Sequence, residues 1–280
     1  MGTGGTLWSG TPGVEFAPME LVHHRSGVGE PLVLIHGLGL RWQVWEPVLP
    51  RVTAEREVIA LDLPGFGASL MPPPGTPAGV ASLTRLVGEF LDELGLDRPH
   101  VAGNSLGGWI SLELAKQGRA RSATGLSPAG FHTALEGRFQ RTSLWLTART
   151  AGVLAPRADR LMKPKLARVL AFGQYVARPT RIPSDDAAAI LRGLAGAPWF
   201  DETLRAISAP APFSGGEQIA VPVTIAWGQH DRLLLRHQAR RAQRAIPGAR
   251  VLTLQGCGHV PTYDDPEQVA RVLLEGSAAA

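Results

Sequence analysis

Short apolar runs alternate along the chain with longer segments whose apolar residues recur at helical spacing. The apolar runs, each a candidate strand, are Pro31–His36, Val58–Leu63, His100–Asn104, Ala123–Ser127, Val221–Trp227 and Arg250–Leu254. The helical patterns between them include Ala81–Leu94, Leu106–Gln117 and Arg236–Ala245. Strands buried on both faces are apolar throughout and do not alternate. The pattern therefore predicts an α/β fold with a mostly parallel central sheet and helices on both faces.

The segment from 131 to 215 interrupts this alternation, because it contains no candidate strand. Its predicted helices, separated by prolines, are Thr133–Leu154, Leu161–Phe172, Ser184–Leu194 and Asp201–Ile207. We therefore expect a core formed by residues 1–130 and 216–280, and a helical cap formed by residues 131–215. Open α/β sheets bind ligands outside the carboxyl ends of their strands, so the cap is expected to lie over that edge.

Composition narrows the class of protein. The 280 residues include 44% hydrophobic residues and one cysteine, which suits a globular domain without a disulfide framework or a cysteine-rich zinc site. No apolar stretch has the length of a membrane span. The segment Met1–Gly13 lacks the pattern of a signal peptide, so a cytoplasmic location is expected.

The charge is unevenly distributed along the chain. Residues 131–200 contain 11 basic and 4 acidic side chains, an excess of +7 in a chain of formal net charge +4. Such a segment can attract anionic partners, although solvated helix faces explain it more simply. No basic stripe is interleaved with aromatic residues, so no nucleic-acid partner is predicted.

A serine lies between two glycines where a predicted strand meets a predicted helix. In Gly103-Asn104-Ser105-Leu106-Gly107, the sharp turn would bring side chains two positions either side of the serine into collision. Glycine at both positions removes that collision. The spacing indicates a nucleophilic serine at the top of the sheet.

A serine hydroxyl needs a base. His259, in the loop after the last predicted strand, is the candidate base, and Asp231, after the strand ending at Trp227, is the candidate acid that orients it. We interpret His132, His230 and His237 as surface or structural residues. Two backbone N–H groups could hold an oxyanion: that of Leu106, which follows the serine, and that of Leu38 in the glycine-rich loop after the first strong strand.

Taken together and in order, these motifs resemble the α/β-hydrolase superfamily. The motifs are His36-Gly37-Leu38-Gly39, Asp62-Leu63-Pro64-Gly65-Phe66-Gly67, Gly103–Gly108, Trp227–Asp231 and Gly258-His259. The resemblance implies Ser105 as nucleophile, His259 as base, Asp231 as orienting acid and the Leu38 and Leu106 amides as oxyanion hole. It also implies structural roles for His36 and Asp62.

Departures from related families narrow the expected chemistry. Haloalkane dehalogenases and epoxide hydrolases use an aspartate where this chain has Ser105, and epoxide hydrolases carry a proline where it has Gly39. The Gly-Asn-Ser pattern is shared with meta-cleavage C–C hydrolases, which typically have tryptophan after the catalytic histidine. Here Val260 follows His259.

The function expected from these residues is hydrolysis of a small, largely apolar ester or thioester through an acyl-serine. The alternatives are a C–C hydrolase, with Arg181 or Arg192 as candidates to hold a substrate carboxylate, and a slow biosynthetic or receptor-like relative. The predicted partner is a small-molecule substrate, without cofactor or metal, and the oligomeric state is left open. The candidate pocket residues are Trp42, Trp109, Trp145 and Val260.

Overall fold

The computed structural model of the chain describes residues 20–209 and 213–278, and a seven-stranded sheet lies at its centre. The strands are β1 His23–Ser26, β2 Glu30–Ile35, β3 Arg56–Leu61, β4 His100–Asn104, β5 Ser122–Leu126, β6 Val223–Gly228 and β7 Arg250–Leu254. They are ordered β1-β3-β2-β4-β5-β6-β7, and only β1 runs antiparallel to its neighbour. The predicted mostly parallel sheet is confirmed.

Helices connect the strands. Those of the core are α1 Leu49–Val52, α2 Val80–Glu93, α3 Leu106–Lys116, α9 Gln238–Ala245 and α10 Pro266–Ala278. Those between β5 and β6 are α4 Ala134–Leu154, α5 Ala158–Leu161, α6 Lys165–Phe172, α7 Ser184–Ala195 and α8 Phe200–Ile207. No helix in the described part of the chain has the length and apolar character needed to cross a membrane.

The sheet is covered on both faces. Val33 and Ile35 of β2 belong to one buried cluster, whereas Leu32 and Leu34 belong to a second cluster on the opposite face. Because side chains alternate along a strand, both sets are buried only when helices cover both faces. This explains why the apolar runs in the sequence are continuous.

Several elements differ from the sequence-based prediction. The helix predicted over 161–172 begins only at Lys165, as α6, because Pro164 lacks an N–H and restricts the backbone of the residue before it. The short helix α5, which ends at Leu161, was not predicted. The edge strand β1 was not predicted. Its two histidines nevertheless diverge as an extended segment requires: the His23 ring packs edge-on against Phe90, and the His24 ring stacks on Trp42.

The helices between β5 and β6, which we continue to call the cap (residues 131–215), are bonded to the core at separate points. Glu136 of α4 accepts a hydrogen bond from Arg241 of α9 at 2.5 Å. At another point, Val260 N donates to the Tyr175 carbonyl at 2.8 Å. The second contact joins the cap to the loop that carries His259.

Candidate active site

Ser105 occupies the turn between β4 and α3 in a backbone conformation that is uncommon for a residue with a side chain. Its φ is 55° and its ψ is −114°. The turn is held by backbone hydrogen bonds: Ser105 N donates to Leu126 O at 3.0 Å, and Trp109 N donates to Ser105 O at 3.1 Å. Neighbouring structure thus holds the serine in a strained position of the kind found at functional sites.

The glycines around this serine are required by close backbone contacts. A Cβ on Gly103 would lie 2.2 Å from the Gly107 carbonyl carbon, and a Cβ on Gly107 would lie 2.0 Å from Ile35 O. A Cβ on Gly108 would lie 2.9 Å from the Pro128 side chain. The crowding predicted from the spacing is therefore present in the structure.

His259 and Asp231 form a buried hydrogen-bonded pair. His259 Nδ1 lies 2.8 Å from Asp231 Oδ2, and the two side chains are 3% and 0% exposed. The other oxygen, Asp231 Oδ1, accepts from the backbone N–H groups of Leu233 and Leu234 at 2.9 and 2.8 Å. With Nδ1 as the donor in this pair, Nε2 is free to accept a proton.

Ser105 and His259 line one cavity between the sheet edge and the cap. Ser105 follows β4, Asp231 follows β6 and His259 follows β7, so the carboxyl ends of the strands bring the three together. No hydrogen bond joins the Ser105 hydroxyl to His259 within residues 20–209 and 213–278. Catalytic hydrogen bonds are often long without substrate and tighten when it binds.

The two candidate oxyanion donors flank the serine. Leu106 is the first residue of α3, where a backbone N–H has no partner within the helix. On the other side, a Cβ on Gly37 would lie only 3.3 Å from Ser105 Cβ, so the loop bearing Leu38 passes directly beside Ser105. Leu38 lines the same cavity as Ser105.

His36 and Asp62 hold the loops around the site. The His36 ring is fully buried, with Nδ1 2.7 Å from Gly37 O and Nε2 accepting from Leu63 N at 3.0 Å. Burial lowers the pKa of His36, which keeps the ring neutral. Asp62 accepts from the backbone N–H groups of Trp42 and Ala68. Both ring nitrogens and both carboxylate oxygens are thus used in loop structure.

Three of the four predicted pocket residues lie elsewhere. Trp42 stacks on His24, the Trp109 indole donates to Glu113 at 3.1 Å, and Trp145 is 47% exposed with the Arg149 guanidinium over its ring. None of them lines the cavity, whereas Val260 does. Sequence proximity to a catalytic loop does not determine which way a side chain points, so the tryptophan predictions are wrong.

Mainly apolar side chains from the cap and the loops line the cavity instead. Those from the cap include Leu144, Phe172, Val176, Ile190, Leu191 and Leu194. The polar lining residues beyond Ser105 and His259 are Asn104, His132, Gln140, Thr147, Tyr175, Ser208 and Tyr263. His132, which the sequence suggested was surface or structural, is a buried lining residue whose pKa is lowered by burial.

Two polar residues that sequence reasoning did not assign hold the histidine loop. Asn104 Nδ2 donates to the carbonyl oxygens of Leu126 and His259, both at 2.9 Å. Asp264 Oδ2 accepts from Gly258 N at 2.7 Å. The position of Asn104 next to Ser105 is the only signal in the sequence for its role, and nothing in the sequence distinguishes Asp264 from an ordinary turn carboxylate.

Cys257, two residues before His259, is the one cysteine and is buried. Burial, together with Asp264 and Asp265, raises the pKa of its thiol to about 12. A thiol of that pKa is protonated at neutral pH and is a poor nucleophile. Cys257 therefore fits the role of a small buried hydrophobic residue better than that of a second nucleophile.

The comparison with known proteins fits this geometry. The model of the alpha/beta hydrolase family matches residues 32–272. The chain belongs to the alpha/beta hydrolase family. A solved structure of similar fold is the enol-lactonase from Burkholderia xenovorans LB400, with a TM-score of 0.71 at 20% identity over 93% of this chain and 97% of that one.

Curated members of the alpha/beta hydrolase family are also similar in sequence. Epoxide hydrolase EphH of Mycobacterium tuberculosis is 32% identical over 65% of this chain and 87% of its own length. The 2-hydroxy-6-oxo-2,4-heptadienoate hydrolase of Pseudomonas putida is 28% identical over 91% of this chain and 92% of its own length. Two longer relatives, the dihydrolipoyllysine-residue acetyltransferase components of the acetoin cleaving systems of Pseudomonas putida and Cupriavidus necator, are each 30% identical to this chain. The chain spans 63% and 60% of their lengths. Family membership, together with the similarity to the epoxide hydrolase and the heptadienoate hydrolase, shows that the protein is a hydrolase.

Proposed function

We propose that the protein is a serine hydrolase that cleaves a small, largely apolar ester or thioester. The observation that carries this proposal is the arrangement of one cavity. Ser105 stands in it on a strained turn, His259 lines it, and Asp231 is 2.8 Å from His259 Nδ1. A nucleophile, a base and a group that orients the base are the elements of acyl transfer.

In the proposed first step, His259 Nε2 takes the proton of the Ser105 hydroxyl while Oγ attacks the substrate carbonyl carbon. The carbonyl π electrons move to oxygen, and the Leu38 and Leu106 N–H groups donate to the resulting oxyanion. The oxyanion then collapses, the bond to the leaving group breaks, and the imidazolium of His259 gives its proton to the departing oxygen or sulfur.

In the second step, water hydrolyses the acyl-serine. His259 takes a proton from water as its oxygen attacks the acyl carbon, and a second oxyanion forms in the same hole. Collapse of that oxyanion releases the carboxylic acid and returns the proton to Ser105 Oγ. The Asp231 carboxylate stabilises the imidazolium in both steps without taking a proton from it.

The lining of the cavity favours an uncharged substrate. No arginine or lysine of the described chain lines it, and the residues outside the described ranges contain neither type. Arg181 donates to the Asp264 carbonyl and Arg192 pairs with Asp159, so neither suggested carboxylate partner faces the cavity. A buried carboxylate without a cationic partner would be costly, which favours a neutral acyl group.

C–C hydrolysis is the second candidate. Two observations favour it: the sequence Gly103-Asn104-Ser105, and the relative named 2-hydroxy-6-oxo-2,4-heptadienoate hydrolase. A substrate of that class carries a carboxylate, for which this cavity offers no cation. Epoxide opening is disfavoured by a different feature, because Ser105 stands where the resemblance implies an aspartate in epoxide hydrolases.

Hydrolysis of p-nitrophenyl esters of increasing chain length tests the proposal. We expect activity on short esters, and a loss of roughly 10³-fold or more in kcat for Ser105→Ala. Ser214→Ala removes an exposed hydroxyl at the end of the cap and serves as the matched control, with unchanged activity. Full turnover by Ser105→Ala would refute the acyl-serine mechanism.

Labelling with a fluorophosphonate distinguishes the remaining outcomes. If the folded wild type labels at Ser105 but hydrolyses no ester, the nucleophile is active and the ester assignment is wrong. Cleavage of a ring-opened diketone acid in that case would favour C–C hydrolysis. Absence of both labelling and turnover would overturn the assignment of Ser105 as the nucleophile.

A further inference from the structure

Exposed apolar side chains are concentrated in one part of the cap. Of the thirteen large hydrophobic residues that are exposed in residues 20–209 and 213–278, eight fall between residues 135 and 170. They are Leu135, Phe139, Trp145, Leu146, Val153, Leu166, Val169 and Leu170. Single exposed hydrophobic residues are normal, but a concentration of them indicates a surface that contacts something.

Four of these residues form a stripe along α4. Leu135, Phe139, Leu146 and Val153 are spaced by four, seven and seven positions, which places them on one side of a helix. They are between 50% and 76% exposed. At a rise of 1.5 Å per residue the stripe runs for about 27 Å. We refer to these four residues as the α4 stripe.

The α4 stripe faces away from the cavity. Gln140, Leu144 and Thr147 are the α4 residues that line the cavity. At 100° per residue, the stripe lies roughly 130° around the helix from them. Leu166 and Leu170 of α6 are likewise exposed, while Ala171 and Phe172 of that helix line the cavity. The exposed apolar surface is therefore separate from the candidate active site.

Positive charges lie along one side of the α4 stripe. Arg138, about 75° around the helix from the stripe, is exposed and forms no ion pair with a carboxylate of the described chain. Arg149 lies over the Trp145 ring at 5.5 Å, and it also pairs with Asp201. The only acidic residue of α4, Glu136, is bonded to Arg241 and His237 of the core. Two arginines of the basic segment found in the sequence, Arg138 and Arg149, are thus exposed on the side of α4 next to the apolar stripe.

We propose that the α4 stripe, with the arginines beside it, docks the protein onto an anionic phospholipid surface. An amphipathic helix with basic residues beside its apolar face lies in the plane of a membrane interface, where its arginines attract anionic headgroups. Trp145, which is in contact with Arg149, supports this proposal, because tryptophan is enriched at membrane–water interfaces. Docking of two copies through this face would place like-charged arginines together, which makes a second copy the less favourable occupant.

Vesicle flotation of the full chain tests this proposal. We expect binding to vesicles of phosphatidylglycerol and phosphatidylcholine, weaker binding to phosphatidylcholine alone, and a decline with added salt. Phe139→Ser with Leu146→Ser should abolish binding. Arg138→Gln should weaken it by about fivefold, the effect of one basic residue near an anionic surface.

Exposed apolar residues on the core provide the matched control. Val28 and Leu70 are 73% and 75% exposed, and Val28→Ser with Leu70→Ser should leave binding unchanged. The proposal is overturned if wild type does not float with anionic vesicles at low salt, or if the core and stripe variants lose binding equally. It is also overturned if the stripe variant converts a dimer to a monomer in light scattering, because a second copy would then be the occupant.

Discussion

The Asp231 carboxylate orients the His259 ring and is itself held in place by the backbone. Oδ2 lies 2.8 Å from His259 Nδ1, and Oδ1 accepts hydrogen bonds from the backbone of Leu233 and Leu234. The carboxylate cannot rotate without losing one of these contacts. An asparagine in its place keeps the Oδ1 contacts but presents an NH₂ group to Nδ1.

We therefore expect Asp231→Asn to fold normally and to lose activity. The NH₂ group would favour the wrong tautomer of His259, which lowers kcat by about 10⁴-fold in comparable triads. Ester hydrolysis and thermal unfolding measure the two effects separately. Asp185→Asn, at an exposed aspartate in the first turn of α7, is the control and should retain full activity. An Asp231→Asn enzyme with more than a tenth of wild-type kcat would remove Asp231 from the mechanism.

Asp264 connects the cap to the histidine loop. Its Oδ2 accepts from Ala177 N and Gly258 N at 2.9 and 2.7 Å, and its Oδ1 accepts from Arg178 N at 2.6 Å. Asp264→Asn would place an N–H donor against backbone N–H groups. We expect a loss of about 2–3 kcal/mol of unfolding free energy, the range for hydrogen bonds to charged groups, together with a lower kcat.

Asp265→Asn is the control for Asp264→Asn. Asp265 caps α10 through Gln268 N and does not contact the cap in the described structure. Because asparagine caps helices about as well as aspartate, its substitution should leave both the free energy of unfolding and kcat nearly unchanged. Equal effects of the two substitutions on kcat would show that Asp264 does not position the histidine loop.

Gly107→Ala should prevent normal folding of the serine turn. The new Cβ would lie 2.0 Å from Ile35 O, and backbone of a central strand cannot move to make room. We expect a loss of at least ~2 kcal/mol in unfolding free energy, measured by urea titration.

Gly152→Ala is the corresponding control in a helix. Nothing lies within 4 Å of a Cβ at Gly152 of α4, and alanine favours helices. This substitution should stabilise the protein by about 0.5–1 kcal/mol. Similar destabilisation by both substitutions would contradict the steric explanation of the turn.

Glu136 makes cap attachment dependent on pH. Partial burial raises the pKa of Glu136, but hydrogen bonds from Arg241, the Thr133 backbone and His237 outweigh burial and lower the pKa to about 2. Because the folded pKa is below the unfolded one, the ionised carboxylate stabilises the fold above about pH 5, and this contribution is lost as the pH falls towards 2.

Glu136→Gln isolates this contribution, because glutamine can still bond the Thr133 backbone in a capping box. At pH 7 we expect the variant to unfold about 1–2 kcal/mol more easily than wild type, allowing for solvent at this partly exposed group. The difference should disappear near pH 2 in urea titrations at a series of pH values. A difference that is independent of pH would show that the charge of Glu136 is not responsible.

The serine turn and the order of the candidate catalytic residues could be predicted from the sequence, because the backbone there requires particular residues. Gly103 and Gly107 are necessary wherever a strand turns sharply into a helix at Ser105, so local spacing alone predicted the turn. The chain order of Ser105, Asp231 and His259, each just beyond an apolar run, placed them at one edge of a parallel sheet. The structure brings all three to that edge.

The residues that line the cavity could not be predicted from the sequence in the same way. Trp42, Trp109 and Trp145 are near the candidate catalytic loops or in the cap, but they do not line the cavity, whereas His132 does. Side-chain direction in the cap depends on how five helices pack over the sheet, and that packing uses contacts between residues far apart in the chain. Asp264 illustrates the same point, since it bonds Ala177 and Arg178, 87 and 86 positions away.

The sequence by itself determined the parallel sheet, the serine turn and the order of the candidate catalytic residues, because each follows from short-range periodicity or backbone sterics. Only the tertiary structure decided that the cavity has no arginine or lysine among its described lining residues, and that the apolar stripe of α4 is exposed while another side of that helix lines the cavity. Those properties depend on the direction in which each helix face points, and packing between distant segments sets that direction.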